Sequence, residues 1–151
     1  MRALVQRVDW AEVLIGGQIV CRIDHGLLVY VGSAEKDTES DAASLAEKVL
    51  GLRVFEDDDG RLKLSCQDIR GEILAIPDLM VNATELWSPE EAGRKAAESQ
   101  HVEDLYVAFC IAVGQSIRME RGPFRAAMTI RSAAAGPVNV LIDMPTGTPQ
   151  H

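Results

Sequence analysis

A strand-rich α+β domain with about two main helices is the fold class this sequence predicts, and three observations predict it. The first third of the chain carries β-prone runs separated by glycine-containing turns, and two later stretches carry apolar residues at helical spacing. The third observation is composition: 151 residues, 47% hydrophobic and 25% charged. That is enough chain to bury one core without disulfides or metal, with the balance of a folded protein and not of a disordered one. The domain is expected to span residues 1–144. The remainder, 145–151, is rich in Pro, Thr and Gly and is expected to be a loose tail.

Taken in order, Ala3, Val5 and the run to Val8 alternate imperfectly, as a half-buried strand does. Trp10–Ile15 and Gln18–Ile23 flank Gly16-Gly17, the signature of a hairpin with a tight turn. Gly26-Leu27-Leu28-Val29-Tyr30-Val31-Gly32 is a continuous apolar run bounded by glycines, which predicts a buried central strand. A helix comes next, capped by Thr38 or Ser40, with Ala42, Leu45, Ala46, Val49 and Leu52 on one face. Glu56-Asp57-Asp58-Asp59-Gly60 lacks the spacing of a calcium loop and reads as a hairpin turn before Leu62 and Leu64. Glu72–Ile76 predicts another strand, ending at Pro77.

Ser88-Pro89-Glu90-Glu91 is a helix start, with Gly93 placed to interrupt or shorten that helix. Val102, Leu105, Tyr106, Phe109, Cys110, Val113 and Ile117 form a helical stripe suited to packing across a sheet. Phe124–Ile130 and Val138–Ile142 are the last predicted strands, with Ala133-Ala134-Ala135-Gly136-Pro137 a small-residue bend between them.

The formal net charge is −8, whereas proteins that bind nucleic acid mainly through phosphates usually carry a basic balance. Any RNA contact must come from a local patch. Arg118, Arg121, Arg125 and Arg131 are the candidates, and a merely solvated basic face is the alternative. Cys21, Cys66 and Cys110 are odd in number and form no CxxC pair, so neither zinc nor a disulfide framework is indicated. With no signal-peptide pattern and no apolar run of membrane-spanning length, a cytoplasmic protein with reduced thiols is expected. Phosphate-binding, zinc-protease and serine-hydrolase motifs are absent, and no histidine has a serine or cysteine partner at a recognisable spacing.

Several segments in the right order resemble the D-aminoacyl-tRNA deacylase (D-tyrosyl-tRNA deacylase) family. They are Met1-Arg2-Ala3-Leu4-Val5-Gln6-Arg7-Val8, Gly26–Gly32, Lys48–Phe55, Gly122-Pro123-Phe124-Arg125-Ala126-Ala127-Met128 and Gly136-Pro137-Val138, and they cover nearly the whole chain. The resemblance implies a barrel-like sheet, a homodimer, no metal or cofactor, and hydrolysis of the ester that joins a D-amino acid to the 3′ end of tRNA. It implies that Gly136-Pro137 is a cis peptide reaching into the partner's pocket, where its backbone excludes an L side chain. Phe124 would lie with it at the substrate.

The family's Ser-Gln…Thr signature falls on Pro77-Asp78-Leu79-Met80, so the implied catalytic segment carries different side chains at all three signature positions. The usual basic segment before the second long helix is replaced by Thr84-Glu85-Leu86-Trp87-Ser88-Pro89-Glu90-Glu91, whose acidity opposes tRNA phosphates. Backbone N–H groups at Leu79 and Met80 could still hold an oxyanion, since that role needs no side chain. Two functions therefore fit the sequence: an aminoacyl-tRNA deacylase, slow or altered in substrate, and a non-catalytic homologue acting as a binding or scaffold module.

Overall fold

The computed structural model describes residues 1–81 and 89–145. A long strand, β1 (Arg2–Ile15), turns at Gly16-Gly17 into β2 (Gln18–Ile23). Both turn glycines have positive φ, 57° and 79°, the mirror-image turn that matches strand twist. β3 (Gly26–Gly32) then runs back along the first half of β1, which changes partner near Asp9: residues 2–8 pair with β3, residues 11–15 with β2.

Helix α1 (Glu39–Gly51) starts at a capping box in which Thr38 accepts the Asp41 N–H and Asp41 accepts the Thr38 N–H. A small hairpin, β4 (Phe55–Glu56) and β5 (Leu62–Leu64), comes after it, with Gly60 at φ 75° in its turn. β6 (Glu72–Pro77) lies parallel to β3, and β7 (Met119–Arg121) lies parallel to β6. Between them come α2 (Pro89–Glu98) and α3 (Gln100–Gly114), and the chain returns along β1 as β8 (Thr129–Asp143).

The main sheet runs β2-β1-β3-β6-β7, with β8 on the other side of β1. Its outer members approach each other, Cys21 Sγ lying 3.9 Å from the Arg121 carbonyl, so the sheet curls into a near-closed barrel. Strand alternation divides the apolar residues between two cores. Val8, Ala11, Val13, Ile23, Leu28, Leu74 and Ile76 pack on the concave side. Leu27, Val29, Val31, Ile73 and Ala75 face the other way, against Leu45 and Val49 of α1 and Leu105, Phe109 and Val113 of α3.

The structure departs from the sequence expectation in three places. The two long helices are α1 and α3. The segment before α3 is a separate helix because Ser99 caps α3, accepting the Val102 N–H. Gly93 does not interrupt α2, and the predicted cap at Ser88 lies outside the described residues. Phe124–Met128 is not strand, since Arg125 takes φ 59° and turns the chain. β8 instead runs unbroken through Gly136-Pro137. Of the expected tail only Pro145 is described, and it is exposed. No described helix is long and apolar enough to cross a membrane.

Candidate functional site

The carboxyl ends of the parallel strands β3, β6 and β7 bring two predicted segments together, as carboxyl ends commonly do in open parallel sheets. Pro77, the last residue of β6, is buried. The Asp78 N–H donates to the Val31 carbonyl at 2.9 Å, and the Met80 N–H donates to Asp78 Oδ1 at 3.0 Å. Asp78 thus closes a turn on itself, and proline has no N–H. Leu79 keeps the one backbone N–H of this segment without a partner among the described residues. Met80 is 50% exposed. A Cβ on the buried Gly93 of α2 would lie 3.2 Å from Met80 Cε, so this glycine leaves room for the methionine against the helix.

Gly122 joins the second segment to the first. Its N–H donates to the Ala75 carbonyl at 2.8 Å, and a Cβ there would meet Ile76 Cδ1 at 3.2 Å. The buried Tyr106 hydroxyl stands 2.8 Å from the Gly122 carbonyl and 3.2 Å from that of Ala75. Burial pushes its pKa up, which keeps it a donor across the seam between β6 and β7. Phe124 comes next, half-buried, its ring 6.1 Å from that of Tyr106 and 4.9 Å from the Arg125 guanidinium. A cavity of about 480 Å³ opens here, lined by Cys21, Glu103, Tyr106, Arg121 and Phe124 among others.

Gly136 and Pro137 lie elsewhere in the protomer. Gln6 pairs with Asn139 and Val8 with Ala134, so residues 135–138 stand opposite Arg7 alone and form an exposed bulge. The Gly136–Pro137 peptide is cis, as the resemblance implied. Arg7 braces the bulge by donating from Nε to the Ala135 carbonyl (3.1 Å) and from Nη1 to the Val54 carbonyl (2.8 Å). Arg7 pairs with Leu27, whereas Asp78 bonds to Val31 at the far end of the same strand. The bulge on β8 and the turn on β6 are also three strand spacings apart. Strand geometry puts them about 20 Å from each other within one chain.

A family model described as D-Tyr-tRNA(Tyr) deacylase matches residues 4–143. The chain belongs to this family. A D-aminoacyl-tRNA deacylase of Caldicellulosiruptor bescii is 42% identical over 144 residues, covering 95% of this chain and 97% of that protein. A D-aminoacyl-tRNA deacylase of Thermus aquaticus is 39% identical over 149 residues, covering 95% of each. Among solved structures, the c-Myc DNA unwinding element binding protein superposes with a TM-score of 0.83 at 28% identity, over 96% of this chain and 99% of that one. A structure described as a probable eukaryotic D-amino acid tRNA deacylase gives 0.69 at 16% identity, over 95% and 98%, a likeness of fold alone.

Within this deacylase-family chain the four arginines do not form one patch. Arg118 extends from β7's start with a 72% exposed side chain, 3.7 Å from Glu72, and Arg121 is exposed beside the cavity. Arg125 is engaged by Glu103 and the Ala97 carbonyl, tying the Phe124 turn to the α2–α3 junction. Arg131 lies across the sheet, where it and Arg22 flank the buried Glu12. Burial works against the Glu12 carboxylate, but hydrogen bonds from both arginines outweigh it and lower the pKa.

Local sequence reading assigned no role to Arg2 or Arg7. Arg2 donates to the Val81 carbonyl (3.1 Å) and pairs with Asp143 (2.9 Å), holding the chain just past Met80. Cys66 and Cys110 are poor nucleophiles, since burial pushes their thiols up to about 12 and about 11.

Proposed function

We propose that this chain hydrolyses the ester of D-aminoacyl-tRNA as a homodimer, each site combining Pro77–Met80 and Phe124 of one protomer with Gly136-Pro137 of the other. The observation that carries this reading is the Arg7-braced Gly136–Pro137 bulge, exposed and too far from Asp78 in its own chain to serve the same site. An apolar row that is exposed at Leu141 and Leu4, half-buried at Tyr30 and buried at Ile76 supports the pairing of copies through its β8–β1 end. Leu141, Leu4, Tyr30 and Ile76 lie side by side across β8, β1, β3 and β6, with Leu141 58% and Leu4 38% exposed. The row leads to Asp78 at the end of β6.

In this reading the backbone does most of the chemistry. The Leu79 N–H faces the oxyanion that forms when water attacks the ester carbonyl, and collapse of that intermediate releases the amino acid and the ribose 3′-hydroxyl. The rigid backbone of the partner's Gly136-Pro137 leaves room for hydrogen and not for an L side chain. Phe124 offers a ring face to the terminal base. A tRNA substrate and three free thiols, Cys21, Cys66 and Cys110, fit a cytoplasmic setting.

Ester release from matched D- and L-aminoacyl-tRNA tests the activity. Faster loss of the D ester is expected, and a D-ester lifetime equal to that in buffer would return the chain to the scaffold reading. Light scattering at micromolar concentration is expected to give twice the protomer mass, and a monomer would count against the shared site.

Binding of tRNA is proposed to use Arg118 and Arg121, the two arginines of the set not held by close ion pairs. Replacing both with Gln is expected to weaken binding alike for all tRNAs and to lower the salt slope by about 1–2. An unchanged slope would remove these residues from the interface.

A further inference from the structure

The carboxylate of Asp78 has a geometry that its turn alone does not require. Its backbone N–H is tied to Val31 and its Oδ1 to the Met80 N–H, so the side chain is fixed from both sides. It is half-buried at the end of β6, and no Lys, Arg or His pairs with it among the described residues. Arg2, anchored just past Met80, bonds the Val81 carbonyl through Nη1 and Asp143 through Nη2, and forms no ion pair with Asp78. By strand alternation Asp78 lies on the face of Ile76, whose cross-strand neighbour is Tyr30, also half-buried. Burial and the nearby Asp78 charge both raise the pKa of Tyr30, which keeps its hydroxyl protonated.

A fixed, partly desolvated anion with no cation of its own is a binding element for one. The substrate class proposed above carries such a cation, an α-ammonium on the carbon next to the reacting carbonyl.

We infer that Asp78, backed by Tyr30, binds the α-ammonium of the aminoacyl group and makes the site selective for esters with a free, charged α-amine. Identifying the ligand as an aminoacyl ester rests on the deacylase reading. The binding element rests on the geometry of Asp78. Asp78 carries a charge, so the selection acts through electrostatics as well as shape. Tyr30 is a positioning residue here, limiting the solvent that screens the pair.

The test is binding, not turnover. A D-phenylalanyl group in stable amide linkage to 3′-amino-3′-deoxyadenosine is compared with its α-hydroxy counterpart, which has the same shape and no charge, by calorimetry on the intact protein. The wild-type chain is expected to bind the amine about tenfold more tightly. Asp78→Asn keeps the oxygen that accepts the Met80 N–H and loses only the charge. It is expected to leave the unfolding midpoint unchanged and to bring the two ligands within about threefold. A preference that survives in Asp78→Asn, or a wild-type protein that binds the amine no better than the hydroxyl or not at all, overturns the inference. Amine-selective binding that depends on Asp78, in a protein that releases no ester from D-aminoacyl-tRNA, upholds the inference and overturns the deacylase reading alone.

Discussion

Phe109→Ala is expected to lower the free energy of unfolding by about 3–5 kcal/mol. Phe109 has no exposed surface. It sits in the middle of the α3 face that packs on α1 and on the outer side of the sheet, within the cluster that holds Leu45, Val49, Leu105 and Val113. Removing the ring forfeits its transfer free energy and leaves a cavity, because the sheet behind it is fixed by β1, β3 and β6 and cannot collapse inward. Urea unfolding at one fixed protomer concentration would show a lower midpoint with an unchanged slope. A loss below about 1 kcal/mol would mean that α3 does not pack through this face.

Gly136→Ala is expected to reduce kcat/KM for D-aminoacyl-tRNA about 100-fold, close to 2.7 kcal/mol of transition-state stabilisation. Gly136 has φ 125°, a conformation other residues rarely adopt. An added Cβ would stand 2.8 Å from Arg7 Nη2 and 2.9 Å from the Val138 nitrogen, so either the bulge or its brace must move. Gly136 and Pro137 are exposed, so the far-UV spectrum is expected to change little, while the strained alanine lowers the unfolding midpoint modestly. Activity within about threefold of the unsubstituted chain would show that the bulge does not touch the reacting group.

Much of the fold was legible because local chemistry and tertiary structure agree. Gly16-Gly17 demanded a hairpin, and Thr38 with Asp41 fixed the start of α1. The stripe from Val102 to Val113 is the buried face of α3. What was illegible depended on contacts distant in sequence. Arg125 is not glycine, so nothing local announced its positive φ, which goes with the hold of Glu103 and the Ala97 carbonyl on its guanidinium.

Gly136-Pro137 reads as a break in any strand, yet β8 continues through it as a bulge because β1 pairs on both sides and Arg7 fills the gap. Pro77–Met80 was legible as the end of a strand, and β6 ends at Pro77. The self-bonded turn of Asp78 and the anchoring of Val81 by Arg2 could be seen only once the first and sixth strands were in one sheet.

Subunit complementation decides whether the site is shared between two copies. Leu79→Pro removes the N–H assigned to the oxyanion, and Gly136→Ala displaces the bulge, so each homodimer alone is expected to be nearly inactive. If the site is shared, a mixed dimer has one site carrying both changes and one carrying neither. Unfolding and refolding an equal mixture makes about half the dimers mixed and is expected to restore about one quarter of the unsubstituted activity. Two folded, dimeric variants that recover nothing on mixing would place both elements in the same subunit's site and contradict the shared arrangement.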